Sequence, residues 1–269
     1  MADITPRIDF KQELSGLFSL KGKTAYVTGG YGGIGEAIAW ALALAGAKVA
    51  VSGRDAAKAK ALAEELQRAG HEAFGVAMDA HAVSSIRDSV DAVAQHFGGL
   101  HILANCVGIQ REQALLEVTE ETFDEVLQVN LKAAMFLAQA AAKHQIAAGG
   151  GSQVHLLSVR AQLGLRGRGY SAYCSTKGGL VMLIRQHASE LAVHNITVNG
   201  IAPTVVRTEM ARHWLENPDT RAQVLGRIPL GRVADPKDVA GAAVFFTSPA
   251  GSFVTGQVMY IDGGITASQ

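Results

Sequence analysis

The fold is decided by residues 24–44, which read TAYVTGGYGGIGEAIAWALAL. Five β-prone residues lead into a turn that is rich in glycine between positions 29 and 35, and apolar side chains then recur with the helical period at positions 34, 38, 42 and 45. The stretch therefore predicts a strand, a loop and a helix in that order. Backbone N–H groups and a helix N-terminus meet in such a loop, so it can bind a pyrophosphate, and glycine permits the close approach.

The rest of the chain continues this alternation of strand-like and helix-like segments. Strands are predicted near residues 24–28, 48–52, 73–78, 101–105, 153–157, 196–200 and 257–261. Alternation of this kind predicts an α/β fold, a Rossmann-type doubly wound parallel sheet of about seven strands with helices on both faces. Ligands of such sheets bind beyond the carboxyl ends of the strands.

Residues with useful chemistry follow the predicted strands. They are Gly29, Arg54, Asp79, Asn105, Ser158 and Pro203, one after each of the first six strands. Because the carboxyl ends of parallel strands lie at one edge of a sheet, we expect these residues to surround a single binding site.

Composition limits the classes of function. The 269 residues are 48% hydrophobic, enough to bury about three quarters of the unfolded surface around one core. Formal charge is zero and the basic residues are scattered, which argues against a nucleic-acid or membrane-surface partner and favours a small-molecule substrate. No segment has the apolar length of a signal peptide or a membrane span, so we expect a soluble, cytoplasmic protein.

Cysteines and histidines give no sign of a metal site. The two cysteines, Cys106 and Cys174, do not form a metal-spaced pair, and we expect both to be thiols in a reducing compartment. The nine histidines also lack ligand spacing, so no metal is predicted.

Tyr173 and Lys177 frame the pentapeptide YCSTK inside a long apolar-periodic run. Four residues make about one helical turn, so the phenol and the ammonium project from one face. A free phenol has a pKa near ~10, and a cation within ~4–6 Å lowers it toward the pH at which proton transfer is most effective. The pair alone could equally be a packed tyrosine beside a solvated lysine, so its meaning depends on the other motifs.

Taken in order, these motifs resemble those of the short-chain dehydrogenase/reductase family in its single-domain form, over residues 20–264. The matching segments are residues 28–35, similar to the cofactor loop, Asn130, similar to the helix asparagine, Tyr173 with Lys177, similar to the catalytic pair, and residues 255–264, similar to the closing strand. The resemblance implies an oxidoreductase that interconverts a secondary alcohol and a ketone with NAD(P)(H).

The resemblance also implies a four-residue catalytic site. Tyr173 would be the general acid/base on the substrate oxygen, and Lys177 would lower its pKa while holding the nicotinamide ribose. Ser158 would hydrogen-bond the substrate oxygen, and Asn130 would hold a water that connects Lys177 to solvent. These side chains suit the chemistry, because hydride transfer to a carbonyl builds negative charge on oxygen that a hydroxyl donor and a proton source stabilise.

The resemblance and the strand-end positions together predict the cofactor contacts. They are Gly29, Tyr31, Gly33, Ile34, Gly35, Arg54, Asp79, Ala80, Asn105, Gly108, Tyr173, Lys177, Pro203, Val206 and Thr208. The second strand ends in Gly53, where a site built for NAD commonly has an acidic residue on the ribose 2′-hydroxyl. The neighbouring Arg54 suits a 2′-phosphate, so we expect a preference for NADP(H), with NAD(H) possible and a solvated Arg54 as the alternative. Asp79 and Ala80 are expected near the adenine.

Three departures from the family pattern bear on these expectations. Cys106 stands where the family commonly has a second asparagine, which predicts a local effect on stability. Ser158 precedes Tyr173 by fifteen residues, a longer interval than is usual, so we predict an insertion in the loop at residues 166–169. Thr204 follows the sixth strand where the family commonly has glycine.

Substrate expectations rest on fewer residues. The predicted substrate contacts are Gln110, Arg160 and Trp214. The segments at 108–111 and 158–160 resemble those of sugar-acid members such as gluconate 5-dehydrogenases and 2-keto-3-deoxygluconate oxidoreductases. Arg160 could pair with a carboxylate, although a loop arginine is often solvated. We expect residues 205–227 to close over the substrate.

Three alternatives remain open. A 3-oxoacyl-[acyl-carrier-protein] reductase would have every catalytic residue found here and is the main one. A nucleotide-sugar epimerase or dehydratase would have a different glycine spacing and a longer C-terminal substrate domain. A non-catalytic NADP-binding sensor would be favoured by the loss of a catalytic residue, whereas all four are present.

Domain limits and an oligomer are also implied by the resemblance. Residues 1–20 are expected to be an N-terminal extension and residues 21–269 a single dinucleotide-binding and catalytic domain. Relatives commonly form homotetramers through the long helices after the fourth and fifth strands. Four apolar positions on the second of these helices would serve either the core or that interface, namely Val181, Ile184, Ala188 and Leu191.

Overall fold

A parallel sheet of seven strands dominates the computed structural model, which describes residues 9–268. The strands are β1 (Thr24–Thr28), β2 (Lys48–Gly53), β3 (Ala73–Ala77), β4 (Ile102–Asn105), β5 (Gly151–Leu156), β6 (Ile196–Pro203) and β7 (Val258–Ile261). Their spatial order is β3-β2-β1-β4-β5-β6-β7, and every neighbouring pair is parallel. The order reverses between β1 and β4, which is where ligands of doubly wound sheets bind.

Helices connect the strands and cover both faces of the sheet. They are α1 (Phe10–Leu14), α2 (Ile34–Leu44), α3 (Ala56–Arg68), α4 (Val83–Phe97), α5 (Glu120–Leu127), α6 (Ala133–Ala147), α7 (Ser171–Leu191), α8 (Arg212–Glu216), α9 (Pro218–Leu225) and α10 (Pro236–Thr247). A five-residue π-helical segment, Gln128–Lys132, joins α5 to α6. With 21 residues, α7 is the longest of the described helices and follows β5.

Strand burial explains why the sheet lies at the centre. The side chains of β1 alternate, so that Ala25 and Val27 pack with α2, α3 and α10 on one face while Tyr26 packs with α4 and α6 on the other. All five residues of β1 are buried, as expected for a parallel strand that is covered on both sides. Leu180 and Ile184 of α7 pack over β6 beside α6.

The predicted fold class is confirmed. All seven predicted strands are present, although β5 begins two residues earlier than expected and β6 runs three residues longer. The longer β6 has a physical reason, since it continues to Pro203, which pairs with Ile261 of β7. The division at residue 20 stays a prediction, because residues 1–8 of the expected extension lie outside the described residues.

The apolar face of α7 serves mainly the protein's own core. Ile184 and Ala188 are buried against β6, and Val181 and Leu191 pack beside them. Met182 points outward and is 58% exposed. The core alternative for these four positions is therefore observed, and a subunit interface on this helix stays a prediction.

Candidate active site

A cavity of about 770 Å³ opens at the carboxyl ends of the strands. Most predicted site residues line it, namely Gly29, Tyr31, Gly33, Ile34, Gly35, Arg54, Ala80, Gly108, Gln110, Ser158, Arg160, Tyr173, Lys177, Pro203, Val206, Thr208 and Trp214. Its volume lies in the range of small-molecule sites. The structure thus brings these residues together, while their roles remain predictions.

In the glycine loop between β1 and α2, backbone contacts leave no room for a side chain at Gly29 or Gly35. A Cβ on Gly35 would lie against the carbonyl oxygen of Gly29, and a Cβ on Gly29 would lie 3.0 Å from the carbonyl oxygen of Cys106. Gly33 has a φ of 44°, a left-handed conformation that favours glycine. Among the described residues no side chain caps the N-terminus of α2, so its first N–H groups, which border the cavity, can bind an anion.

Tyr31 closes the space beside the end of β2. Its hydroxyl accepts a hydrogen bond from the Asp55 backbone N–H at 3.0 Å. Its ring lies so close to Gly53 that a Cβ there would come within 2.6 Å of the phenol oxygen. An acidic residue therefore cannot occupy position 53 while Tyr31 holds this place. Arg54, the next residue, is exposed and lines the cavity.

The segment after β3 contains the hydrogen-bonded pair Asp79 and His81 beside the cavity. Asp79 accepts a hydrogen bond from the His81 backbone N–H at 3.0 Å, and one of its oxygens lies 2.9 Å from His81 Nδ1. The pKa of Asp79 is held below its ordinary value, mainly by that backbone hydrogen bond. Ala80 and His81 line the cavity but Asp79 does not, because its carboxylate is engaged by His81.

Tyr173 lies in the first turn of α7 and lines the cavity together with Ser158. Burial raises the pKa of Tyr173 to about 12, while the Ser158 hydroxyl and the Arg160 guanidinium act in the opposite direction. The phenol is therefore protonated at neutral pH in this structure.

Lys177 is buried one turn after Tyr173, and burial lowers its pKa to about 8. Its Nζ donates a hydrogen bond to the carbonyl oxygen of Leu156 at 2.8 Å and lies 5.5 Å from the centre of the Tyr173 ring. The expected lowering of the Tyr173 pKa by Lys177 is not found. Burial is the largest influence on the pKa of the phenol, and the Lys177 ammonium is held at the end of β5. Burial also raises the pKa of the neighbouring Cys106 thiol to about 12.

Asn130 lies in the π-helical segment and ties the loop after β4 to α7. Its Oδ1 accepts a hydrogen bond from the Ile109 backbone N–H at 2.8 Å. Its Nδ2 donates to the Ile109 carbonyl oxygen at 2.9 Å and to Thr176 Oγ1 at 3.2 Å. The side chain is buried and does not line the cavity. These contacts give the amide a loop-positioning role, and the expectation that Asn130 holds a water stays a prediction.

Asn105, at the end of β4, lies beneath the glycine loop rather than in the cavity wall. Its Oδ1 accepts hydrogen bonds from Thr28 Oγ1 at 3.0 Å and from the Val107 backbone N–H at 3.2 Å. Its Nδ2 lies 3.3 Å from Nδ1 of His155, a fully buried residue of β5. The expected lining position of Asn105 is thus not observed, because its amide joins β1, β4 and β5 below the cavity.

The outer wall of the cavity is held by a charged and aromatic cluster. Arg168 donates to Glu112 at 2.6 Å. Its guanidinium carbon lies 5.2 Å from the centre of the Trp214 ring and 5.8 Å from that of Tyr170. The cluster joins the predicted insertion at residues 166–169 to the helical segment that carries Trp214.

Arg160 stabilises its own loop as well as lining the cavity. Its Nη1 donates to the carbonyl oxygens of Leu163 at 3.2 Å and Gly164 at 2.7 Å, and its backbone N–H donates to Ser158 Oγ at 3.2 Å. The side chain is half-buried, and this burial lowers its pKa. A guanidinium has five N–H donors, so other nitrogens remain for the predicted carboxylate.

Sequence reasoning does not single out His81 or Arg227, yet both line the cavity. Arg227 lies at the end of the segment that we expected to close over the substrate, so its position in the chain was a usable signal. His81 has no such signal beyond its closeness to Asp79.

Two negative findings concern the described residues 9–268. No helix among them is long and apolar enough to cross a membrane. They also contain no group of three or more histidine, cysteine, aspartate or glutamate side chains that could hold a metal ion.

Comparison with known proteins agrees with this geometry. A family model described as enoyl-(acyl carrier protein) reductase matches residues 29–266. Gluconate 5-dehydrogenase from Gluconobacter oxydans is 36% identical over 252 residues, which cover 94% of this chain and 98% of that protein. The chain belongs to the short-chain dehydrogenase/reductase family.

Two further relatives of this dehydrogenase/reductase are named for a polyol or a sugar acid. D-threitol dehydrogenase from Mycolicibacterium smegmatis is 38% identical over 252 residues, covering 93% of this chain and 95% of that protein. The crystal structure of a gluconate 5-dehydrogenase from Burkholderia cenocepacia in complex with NADP and tartrate is 32% identical with a TM-score of 0.91, covering 94% of this chain and 98% of that one. This dehydrogenase/reductase is therefore an NAD(P)-dependent enzyme that interconverts alcohols and ketones.

Proposed function

We propose that the enzyme interconverts a secondary alcohol and a ketone of a sugar or sugar acid, with a preference for NADP(H). The observation that carries the proposal is that Ser158, Tyr173 and the buried Lys177 all lie in the wall of the cavity that the glycine loop borders. The relatives named for gluconate and threitol support the class of substrate.

The residues present fit a nicotinamide dinucleotide that carries a 2′-phosphate. The glycine loop at residues 29–35 leaves a side-chain-free cradle at the N-terminus of α2, which suits a pyrophosphate. The ring of Tyr31 lies against Gly53, so this position has no room for the acidic side chain that would bind a ribose 2′-hydroxyl. Arg54 is an exposed cation at the cavity edge and can pair with a 2′-phosphate.

The proposed mechanism uses the protonated phenol. The bound cofactor supplies the hydride. Tyr173 donates its proton to the substrate oxygen as negative charge develops there, and the Ser158 hydroxyl donates a hydrogen bond to the same oxygen. Lys177, held by Leu156 at 2.8 Å, keeps positive charge beside the phenolate that forms and so stabilises it. Asn130 fixes the loop that forms part of the wall.

An absorbance assay with NADPH and NADH against keto-sugar acids, simple ketones and a β-ketoacyl thioester tests the proposal. We expect NADPH oxidation with a keto-sugar acid, and a fall of at least about a hundredfold in kcat for Tyr173→Phe, because the proton donor is lost. NADPH binding, measured by its fluorescence, should persist in that variant.

Three outcomes would contradict parts of the proposal. Turnover with the thioester alone would indicate a 3-oxoacyl-[acyl-carrier-protein] reductase. A higher kcat/KM with NADH than with NADPH would overturn the cofactor preference. NADPH binding without turnover of any substrate would favour the sensor.

We also propose that the enzyme is a homotetramer. Relatives in the family commonly are, and Met135 on α6 and Met182 on α7 leave apolar side chains 37% and 58% exposed on the two helices concerned. Light scattering that shows only a monomer would contradict this.

A further inference from the structure

The outer part of the cavity is rich in positive charge. Its wall contains the guanidinium groups of Arg160, Arg166, Arg168 and Arg227. Among the described residues Glu209 is the acidic side chain that borders the cavity, and it pairs with Arg212 at 2.6 Å. The charge of Arg168 is balanced by Glu112. The remaining arginines therefore give this part of the cavity a net positive charge.

Arg227 and Arg160 both line the cavity. Burial is the largest cause that lowers the pKa of Arg160, and the charge of Arg227 acts in the same direction. In the described part of the chain no carboxylate forms an ion pair with either arginine. An anion placed between two guanidinium groups would relieve their repulsion and gain charge-assisted hydrogen bonds from both.

Arg160 also lies near the reacting groups. Its backbone N–H donates to Ser158 Oγ at 3.2 Å, and its guanidinium is within electrostatic reach of Tyr173. The bonds from Nη1 to Leu163 and Gly164 hold the guanidinium in place, so little side-chain entropy remains to be lost when a ligand binds. An anion held here would lie on the substrate side of the reacting groups.

We propose that Arg227, together with Arg160, forms a subsite for the carboxylate of a hydroxy-acid or keto-acid substrate. The inference rests on the proposed function and deepens it by naming a residue that separates acids from neutral sugars. Arg227 belongs to the exposed segment after β6 and would bind the carboxylate from the outer side, while Arg160 is fixed on the inner side. The glycine loop and Arg54 form a separate site for the cofactor phosphates.

The test compares 5-keto-D-gluconate with L-sorbose, which carries a hydroxymethyl group in place of the carboxylate. In Arg227→Gln we expect the KM for the acid to rise about tenfold to a hundredfold, since a charge-assisted hydrogen bond is lost. The KM for L-sorbose and the Kd for NADPH should not change. Arg227→Lys should fall between wild type and Arg227→Gln, because it keeps the charge but loses the planar fork.

A binding measurement and a control variant complete the test. Calorimetric titration of the NADPH-saturated enzyme with D-gluconate should show a weaker Kd in Arg227→Gln by a factor similar to that in KM. Arg221→Gln is the matched control, because Arg221 is an exposed arginine on α9 that does not line the cavity. Arg221→Gln should leave the KM for both ketones and the Kd for NADPH and D-gluconate at their wild-type values.

Two results would overturn the inference. Equal changes in KM for the acid and the neutral ketose would mean that Arg227 shapes the cavity without recognising the carboxylate. A weaker Kd for NADPH in Arg227→Gln would assign the arginine to the cofactor phosphates. Failure of the proposed function is distinguishable from both, since the wild-type enzyme would then reduce neither ketone.

Discussion

The floor and the outer wall of the cavity are built by different means. In the floor, residues 28–35 and 105–108, an added Cβ at Gly29, Gly30 or Gly35 would meet main-chain atoms. In the outer wall, residues 164–169 and 205–227, the contacts are ion pairs and ring faces between partly exposed side chains. The difference teaches that one cavity can combine a part fixed by close main-chain contacts with a part held by adjustable side-chain contacts, which we propose serve the cofactor and the substrate respectively.

The largest effect should come from filling the floor. In Gly35→Ala the new Cβ would meet the carbonyl oxygen of Gly29, so the loop must shift. We expect NADPH affinity to fall at least about a hundredfold and the free energy of unfolding to fall by roughly 2–3 kcal/mol. Fluorescence titration and chemical denaturation measure the two quantities.

Gly32→Ala is the matched control for this prediction. No atom lies within 4 Å of a Cβ at Gly32, and its φ is outside the left-handed region. We expect the free energy of unfolding to stay within about 0.5 kcal/mol of wild type. An equal fall in the free energy of unfolding in Gly32→Ala and Gly35→Ala would contradict the proposed difference between floor and outer wall. The loop would then be sensitive to a side chain at any of its glycines.

A buried histidine beneath the floor should make stability depend on pH. Burial, together with the charges of His187 and Lys177, lowers the pKa of His155 to about 3. The unfolded chain has the ordinary value near ~6.5, so below that pH it binds more protons than the folded protein. Stability that is present above pH ~6.5 is therefore lost as the pH falls toward 3, by about 2 kcal/mol from this group at pH ~5.

Denaturation near pH ~7.5 and ~5 measures this loss, and His155→Leu isolates it. The variant leaves Asn105 Nδ2 without its acceptor and should be less stable at both values, but its drop between them should be smaller by about 2 kcal/mol. His194→Leu, at an exposed position, is the control. An unchanged drop in His155→Leu would assign the pH dependence to other groups.

The floor is also the part that the sequence predicts well. Glycine spacing, strand ends and the interval from Tyr173 to Lys177 are local patterns, and the structure places most of these residues around the cavity, with Asp79 and Asn105 as the exceptions among the strand ends. The seven strands follow from the same alternation, and their limits differ from the predicted ones by up to three residues, most at β6, which pairing with β7 extends to Pro203.

Partners across the fold could not be predicted in this way. Lys177 donates to the carbonyl oxygen of Leu156, and Asn130 holds the backbone of Ile109, so both partners are main-chain groups that no residue type reveals. The raised pKa of the Tyr173 phenol could not be predicted for a similar reason, because burial is a property of the packed structure. The contact of Tyr31 with Gly53 joins two strand ends and appears only once β1 and β2 pair.

The smallest effect should come from loosening the outer wall. Arg168→Met removes the ion pair with Glu112 and the cation contact with Trp214, and both partners in the pair are about one third exposed. Exposed pairs and cation–π contacts contribute little, so the free energy of unfolding should fall by less than about 1 kcal/mol. The KM for the ketone should rise about threefold, because the wall is less well ordered when the substrate binds.

Steady-state kinetics, denaturation and Trp214 fluorescence in a Trp40→Phe background measure these changes. Arg166→Met is the control, since it removes the same charge from the same loop, where the described residues show no ion pair or ring contact for Arg166. A loss of stability in Arg168→Met as large as that in Gly35→Ala would mean that the outer wall is as tightly determined as the floor. A stable Arg168→Met with a raised KM and altered Trp214 emission would instead support the proposal that the floor is rigid and that the outer wall adapts to the substrate.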